Sequence, residues 1–153
     1  MDIYELLKRD HEAVSELFDQ LEQTDEDEAD ERERLFDEIN RELTVHGEIE
    51  ETIFYPAIKN ADKAHDVVME GIEEHQIIKQ LMSEMQDLGT EDDQWEAKLT
   101  VLREIVEHHV DEEETEMFPK ARKVLDGDEA EALAERVEDE KHLLLERYSE
   151  RVD

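Results

Sequence analysis

Two segments of this chain repeat the same pattern of metal-binding residue types, and this repeat limits the folds open to the sequence. The first segment, HGEIEETIFYP, runs from His46 to Pro56, and the second, HVDEEETEMFP, runs from His109 to Pro119. Each has a histidine, a glutamate four residues later, a second glutamate, a threonine and, ten residues after the histidine, a proline. Residues four apart lie on one face of an α-helix, one turn above each other. The repeat therefore predicts two helices that each present an imidazole beside a carboxylate.

One further histidine precedes each copy at almost the same distance. His11 lies 35 residues before His46, and His75 lies 34 residues before His109. The complete pattern is His, His-x-x-x-Glu, His, His-x-x-x-Glu. We therefore expect an internal twofold symmetry that brings both halves of the pattern together.

Apolar residues recur at intervals of three and four, which predicts helices along the whole chain. We expect helices at about residues 2–23, 30–59, 62–88, 91–123 and 128–151. Pro56 and Pro119 disfavour helical geometry in the residue before them, so the second and fourth helices should kink or end there. Thr90 is the expected N-cap of the fourth helix. The buried stripe of the second helix is predicted to continue through His46, Glu50, Ile53 and Ala57.

These helices predict an all-α fold. Short connections make consecutive helices antiparallel, so the first four should form an up-down-up-down antiparallel four-helix bundle over about residues 2–123. The helix at about 128–151 is then an additional C-terminal helix that packs outside the bundle. At 1.5 Å per residue, all four histidines of the repeat reach nearly the same level of the bundle. No low-complexity linker divides the chain, so we expect one domain, residues 1–153.

The composition excludes several classes of function. The 49 acidic and 17 basic residues give a net charge of −32, which repels nucleic acid and anionic membranes. Leu, Ile, Val and Phe make up 38 of the 153 residues, enough for a folded core rather than a disordered chain. Cysteine is absent, which excludes disulfides and thiolate ligands. With no membrane-length apolar run and a charged beginning, the expected location is the cytoplasm.

The acidity has two interpretations that the sequence leaves open. Such a surface suits a cytoplasm rich in salt, as in a halophile, where screening weakens the self-repulsion of the chain. Alternatively, the charges simply solvate the outer faces of the helices.

Six polar residues occupy positions of the core stripes where apolar side chains are expected. Buried imidazoles and carboxylates destabilise a core unless they are paired or bind a metal. A single such histidine is more often a hydrogen-bonded core residue. Six in one layer favour a metal site over a buried His–Glu hydrogen-bond network. Imidazole and carboxylate ligands suit iron, manganese or zinc, and carboxylates on facing helices can bridge two ions. The six are His11, His46, Glu50, His75, His109 and Glu113.

This pattern, together with the Tyr55-Pro56 and Phe118-Pro119 endings, resembles the hemerythrin-like (HHE cation-binding) proteins over about residues 2–123. The resemblance implies two non-haem iron ions with a bridging oxo or hydroxo group, or zinc or manganese instead. It implies that the four histidines are terminal ligands and that the two glutamates bridge. It also implies O₂, another small diatomic molecule or peroxide as the partner, and leaves oligomeric state and protein partners open.

Two departures from the oxygen-carrying members bear on function. Those proteins have another histidine where this chain has Lys79, and their last carboxylate is an aspartate five residues after its histidine, whereas Glu113 follows His109 by four. About two of about twelve coordination positions are then left open to outside ligands. A neighbouring acid is the alternative occupant: Glu12, Glu51 or Glu74.

We therefore expect a non-enzymatic protein that binds or senses O₂ or a related diatomic molecule. The alternatives are a di-iron enzyme that turns over peroxide or nitric oxide, an iron or zinc reservoir, and a metal-stabilised structural bundle.

Overall fold

All regular structure in the described part of the chain is helical, as the sequence predicts. A computed structural model describes residues 1–61 and 64–152, with side chains through residue 148. The predicted start of the third helix, at residue 62, lies outside the described residues, and the observed helix begins at His65. The α-helices are α1 (Ile3–Glu22), α2 (Ala29–Ile49), α3 (Tyr55–Ile58), α4 (His65–Gln86), α5 (Asp93–Glu112), α6 (Phe118–Arg122) and α7 (Gly127–Val152).

The long helices form the expected up-down-up-down bundle. Helix α1 packs against α2 and α4 packs against α5, while α2 also contacts α4. Helix α7 lies outside the four, against α1 and α2, and buries Leu133, Val137 and Leu144 there. Across the described ranges, none of the helices combines the length and the apolar character needed to cross a membrane.

The start of α5 differs from the prediction. The N-cap is Asp92, whose carboxylate accepts the backbone N–H of Gln94 at 2.8 Å, so the expected cap at Thr90 is wrong. Aspartate is the stronger cap, since its charge also interacts favourably with the helix N-terminus. Thr90 is instead buried in the preceding turn, where its carbonyl accepts a hydrogen bond from Arg32.

Neither Pro56 nor Pro119 breaks its helix; instead, each helix widens in the turn just before the proline. A π-helical turn at Glu50–Phe54 joins α2 to α3, and another at Glu113–Met117 joins α5 to α6. In these turns the backbone N–H of Tyr55 donates to the carbonyl of Glu50, and that of Phe118 donates to Glu113, five residues back in each case. Such turns are frequent at functional sites. The expected kink is therefore a one-residue expansion.

The extra residue in the turn changes which side chains are buried beyond it. Ala57, predicted to lie in the buried stripe, is exposed, whereas Ile58 is fully buried. The predicted stripe is correct as far as Ile53 and wrong after it. One added residue rotates everything that follows by about 100° around the helix axis. A periodicity that assumes an unbroken α-helix cannot anticipate this rotation.

The core consists of two apolar clusters, one towards each end of the bundle. One cluster is built around Leu7, Ile49, Phe54, Val68, Phe118 and Val137. The other is built around Phe18, Leu35, Ile39, Met82, Trp95 and Leu102. Along the chain, each histidine of the repeat lies between residues of the first cluster and residues of the second; after His109 the residues of the first cluster are Met117 and Phe118, beyond the end of α5. The fold therefore places a buried polar layer across the middle of the core.

Candidate metal centre

The four histidines of the repeat meet in this layer as two pairs. The ring centroids of His11 and His46 are 5.0 Å apart, and those of His75 and His109 are 4.7 Å apart. All four side chains are buried. The prediction that angular position and depth bring the four together agrees with this geometry.

Each of these histidines directs one ring nitrogen outwards, to a carboxylate. The contacts of the four Nδ1 atoms are His11 to Glu114 at 2.7 Å, His46 to Asp10 at 3.0 Å, His75 to Glu51 at 2.9 Å and His109 to Glu74 at 2.7 Å. Since an ionised carboxylate only accepts hydrogen bonds, Nδ1 of each of these rings carries a hydrogen and donates it. The Nε2 atom then faces the centre of the layer. Metal-binding histidines usually donate the N–H of their other ring nitrogen to a carboxylate in this way, which fixes the orientation of the ring.

The sequence predicts only some of the carboxylates that make these outer contacts, and it predicts a different role for them. Glu51 and Glu74 were considered as occupants of open coordination positions, but each contacts the outer nitrogen of a histidine instead. Glu12 is exposed. Asp10 was missed, although it lies seven residues after Ile3 and four before Val14, both buried on the same helix face.

The inward donors form two groups that share one carboxylate. One group contains His11, His46, Glu50 and Glu113, and the other contains Glu50, His75 and His109. Within each group, every residue offers a donor atom that lies within 4.8 Å of the others. The six predicted site residues are thus brought together in a single buried layer, with Glu50 common to both groups.

Both glutamates are fully buried and lie between the histidine pairs. Oε1 of Glu50 is 3.3 Å from Nε2 of His46 and 3.0 Å from Nε2 of His75. Glu113 extends its two oxygens to different pairs, with Oε1 at 3.1 Å from Nε2 of His11 and Oε2 at 3.4 Å from Nε2 of His109. Each carboxylate can therefore contact donors of both pairs at once.

Several inward-facing atoms lack hydrogen bonds. Within residues 1–61 and 64–148, buried atoms with no partner in hydrogen-bonding geometry include Nε2 of His11, Nε2 of His46, Oε2 of Glu50 and Oε1 of Glu113. The close approaches of Nε2 of His11 to Glu113 and of Nε2 of His46 to Glu50 are not aligned for a hydrogen bond. Native proteins nearly always pair buried polar atoms, because an unpaired one is costly. A cation between these atoms would satisfy all of them. The donor set therefore fits a bound metal.

The electrostatics of the metal-free layer favour charged side chains. Burial alone would lower the pKa of His46, but the charge of Glu50 and the hydrogen bond to Asp10 outweigh it and raise that pKa well above its ordinary value. Burial alone would also lower the pKa of His109, but the hydrogen bonds that its ring donates to Glu113, Glu50 and Glu74 outweigh burial and raise that pKa well above its ordinary value. Burial would raise the pKa of Glu50, yet the charge of His46 lowers it strongly. Metal binding must therefore displace protons from this layer.

The hydroxyl of Tyr55 completes the layer, a role that the sequence pattern does not predict. The fully buried phenol is within hydrogen-bonding distance of Oε2 of Glu113, at 3.2 Å, and of Oε1 of Glu50, at 3.4 Å. Its ring stacks on His75, with centroids 5.7 Å apart and planes 10° apart. Burial, and then the charges of the two glutamates, raise the pKa of Tyr55 well above its usual value. The phenol stays protonated and donates a hydrogen bond to the carboxylates.

A glycine on the neighbouring helix makes room for this phenol. A Cβ atom at Gly71 would lie 2.8 Å from the Tyr55 hydroxyl oxygen, closer than real Cβ contacts. In the second copy of the repeat the equivalent of Tyr55 is Phe118, which has no hydroxyl. The difference between the Tyr-Pro and Phe-Pro endings was the available sequence signal.

A small cavity lies on the other side of the histidines from the glutamates. Its volume is about 30 Å³, and besides the four histidines its lining includes Val14, Leu43, Ile78, Met82 and Val106. A water molecule needs about 10–15 Å³ by this kind of measure, so the cavity suits a molecule of about two heavy atoms. Lys79 also lines this cavity and is itself exposed to solvent.

The remaining histidines lie at the surface. His108 is exposed, with Nε2 at 3.4 Å from Glu74 and 3.5 Å from Glu112, and these three residues form a third, surface group of donors. His142 is exposed and pairs with Glu146 at 3.0 Å. His65 is exposed at the beginning of α4.

Known proteins share this sequence pattern and fold. The sequence profile of the hemerythrin HHE cation binding domain matches residues 2–121. An uncharacterized protein of Mycobacterium tuberculosis is 31% identical over 122 residues, covering 78% of this chain and 71% of that protein. A DNA nickase of Nostoc is 27% identical over 134 residues, covering 88% of this chain, which spans only 37% of the nickase.

A solved structure agrees with the profile match. The crystal structure of a hemerythrin HHE cation binding domain-containing protein from Mycobacterium kansasii has a TM-score of 0.83, with 27% identity over 94% of this chain and 87% of that chain. Both the sequence match and the structural match extend over the four bundle helices that carry the buried histidines. The chain therefore belongs to the hemerythrin HHE cation-binding domain family.

Proposed function

We propose that this chain binds two iron ions in its buried polar layer and uses them to bind or sense O₂ or a related small diatomic molecule. The observation that carries the proposal is that two groups of inward donors share Glu50. A shared carboxylate between two pairs of imidazoles is the arrangement expected for two neighbouring ions. The proposed ligands are His11 and His46 for one ion, His75 and His109 for the other, and Glu50 and Glu113 between them.

The ligand types support iron, but two other metals also fit them and can be distinguished by experiment. Imidazole and carboxylate ligands also suit zinc and manganese. Bound iron would supply the redox and ligand-binding chemistry that a diatomic partner requires. Zinc in the same positions would stabilise the bundle but would supply no redox chemistry.

The chain itself orients the imidazoles, limits the access of water to them and holds a proton on the hydroxyl of Tyr55. The outer carboxylates hold each imidazole so that Nε2 faces inwards. The Tyr55 hydroxyl keeps its proton and directs it at the two buried glutamates. The cavity of about 30 Å³ has an apolar lining and supports a diatomic partner over a larger substrate. Its apolar side chains Val14, Ile78 and Val106 also limit access of water to the histidines.

The activity named for the Nostoc relative is not part of this proposal. The chain spans 37% of that nickase, so the nicking activity has no necessary place in the matched region. A net charge of −32 also opposes binding to a polyanion.

The test is anaerobic loading of the metal-free chain with ferrous iron, followed by repeated cycles of O₂ and argon. The proposal predicts two irons per chain and a visible absorption band that appears with O₂ and disappears under argon. His109→Ala removes one proposed ligand and should lose stoichiometric binding of two irons. His142→Ala is the matched control, because it removes an exposed histidine from an ordinary pair with Glu146.

Three results would contradict the proposal in different ways. Tight binding of two irons by His109→Ala would refute the ligand assignment. Sustained consumption of peroxide or nitric oxide, without reversible O₂ binding, would support an enzyme instead. Retention of zinc with no response to iron would support a structural bundle.

A further inference from the structure

The C-terminal helix contacts the candidate metal centre through one lysine. Nζ of Lys141, on α7, lies 2.5 Å from Oδ1 of Asp10 on α1. The other oxygen of Asp10, Oδ2, lies 3.0 Å from Nδ1 of His46 on α2. Two direct polar contacts thus connect α7 to α1 and α1 to α2, and the second of them reaches His46, a proposed metal ligand. Lys141 also lies beyond residue 121, where the family match ends.

Asp10 differs from the other three outer carboxylates. Its side chain is 9% exposed, whereas those of Glu51, Glu74 and Glu114 are 16–30% exposed. Among the described residues, Asp10 is also the only one of the four paired with a lysine or arginine. A carboxylate that deeply buried needs a partner for its second oxygen, since water is not there to solvate it. Lys141 supplies that partner.

The face of α7 that meets the bundle holds this lysine in place. Lys141 follows Val137 by four residues and precedes Leu144 by three, so all three lie on one face of the helix. Val137 and Leu144 are buried against the bundle. The stem of Lys141 therefore runs between two packed side chains, with its ammonium directed to Asp10. A lysine in an otherwise apolar stripe was the sequence signal for this contact.

We propose that Lys141 is a positioning residue of the metal centre, by which docking of α7 fixes Asp10 and thereby His46. The inference rests on the proposed function, since it requires that His46 bind a metal. It makes the two metal positions unequal, because in the described part of the chain the ammonium of Lys141 pairs with Asp10, which is the outer partner of His46 and of no other proposed ligand. Coupling between two binding events is reciprocal. Metal binding at that position must therefore strengthen the docking of α7 by the same factor.

The experiment compares three variants by titration of the metal-free chain with Co²⁺, whose absorption reports each ion bound to imidazole and carboxylate. Lys141→Met keeps the stem and removes the ammonium, and Lys141→Arg keeps a cation. Lys98→Met is the matched control: the Lys98 side chain is 29% exposed against 28% for Lys141, and its Nζ lies 2.8 Å from Glu84, away from the histidines.

Loss of an outer partner of a ligating histidine weakens metal binding about 10–100-fold, and Lys141 acts one contact further out. We therefore expect about a tenfold loss at one of the two positions in Lys141→Met, partial recovery in Lys141→Arg, and no change in Lys98→Met.

A second measurement tests the reciprocal effect. Hydrogen exchange of the α7 backbone should slow when the wild-type chain or Lys98→Met is loaded with Co²⁺, and should slow clearly less in Lys141→Met. If Lys141→Met does not fold, the wild type decides, since α7 exchange that is unchanged on loading overturns the inference. Equal weakening of both metal positions, or a Lys141→Met titration like that of Lys98→Met, also overturns it while the proposed function stands. Failure of the wild type to bind two ions would refute the proposed function, and this inference with it.

Discussion

The hydroxyl of Tyr55 should contribute measurably to the stability of the metal-free chain. It lies within hydrogen-bonding distance of Glu113 and Glu50 at the centre of the core, where no solvent competes. Tyr55→Phe removes this donor and leaves the ring, its stacking on His75 and the packing unchanged. The second copy of the repeat already carries phenylalanine at this place, so the smaller side chain has a precedent in the same fold.

The magnitude follows from the charge of the acceptor. A hydrogen bond to a charged group contributes about 1.5–3 kcal/mol. For a chain of this length, each kcal/mol lowers Tm by about 2–4 °C. Tyr55→Phe should therefore lower the Tm of the metal-free chain by about 3–12 °C, measured by circular dichroism at neutral pH in the presence of a chelator.

Tyr4 provides the matched control. It is equally buried, but its hydroxyl has no hydrogen-bond partner within the described part of the chain. Tyr4→Phe removes an unpaired polar atom and should leave Tm unchanged or raise it slightly. Equal shifts in the two variants, or no loss in Tyr55→Phe, would refute the assigned role of the Tyr55 hydroxyl.

Three further predictions follow from the same structure. Gly71→Ala should destabilise the chain despite the gain of about 1 kcal/mol in helix propensity, because its Cβ would lie 2.8 Å from the Tyr55 hydroxyl; urea unfolding would measure this. Because the pKa values of His46 and His109 are raised in the fold, their stabilising charge is fully present below about pH 6.5 and is lost as pH rises through the folded-state pKa. The metal-free Tm should thus fall as pH rises above about 6.5, while metal affinity should rise, and parallel trends would contradict this linkage. If self-repulsion of the net charge of −32 matters, Tm should rise with added salt; equal Tm at low and molar salt would favour simple solvation of the helix faces.

The buried polar layer was predictable because two independent periodicities define it. The 3.6-residue period fixes which face each residue of the repeat occupies, and the rise per residue fixes its depth. Together, the helical period and the rise per residue predict that His11, His46, His75 and His109 are neighbours. Apolar stripes alone would not have done so, since any amphipathic helix has one.

What the sequence left unpredicted depends on backbone detail and on contacts between distant helices. The π-helical turns add one residue to the helical phase, which moved Ala57 out of the core and Ile58 into it. The phenol of Tyr55 reaches the glutamates from within such a turn. The contact between Lys141 and Asp10 joins residues 131 apart in sequence, and only the docking position of α7 brings them together.

If the buried layer binds two irons, the ions themselves should be visible between its side chains. Anomalous diffraction from crystals of the iron-loaded chain, recorded above and below the iron absorption edge, would locate them. We expect two peaks per chain, one among His11, His46, Glu50 and Glu113 and one among Glu50, His75 and His109. An iron-loaded crystal with no peak in this layer, or with peaks only among surface carboxylates, would contradict this expectation.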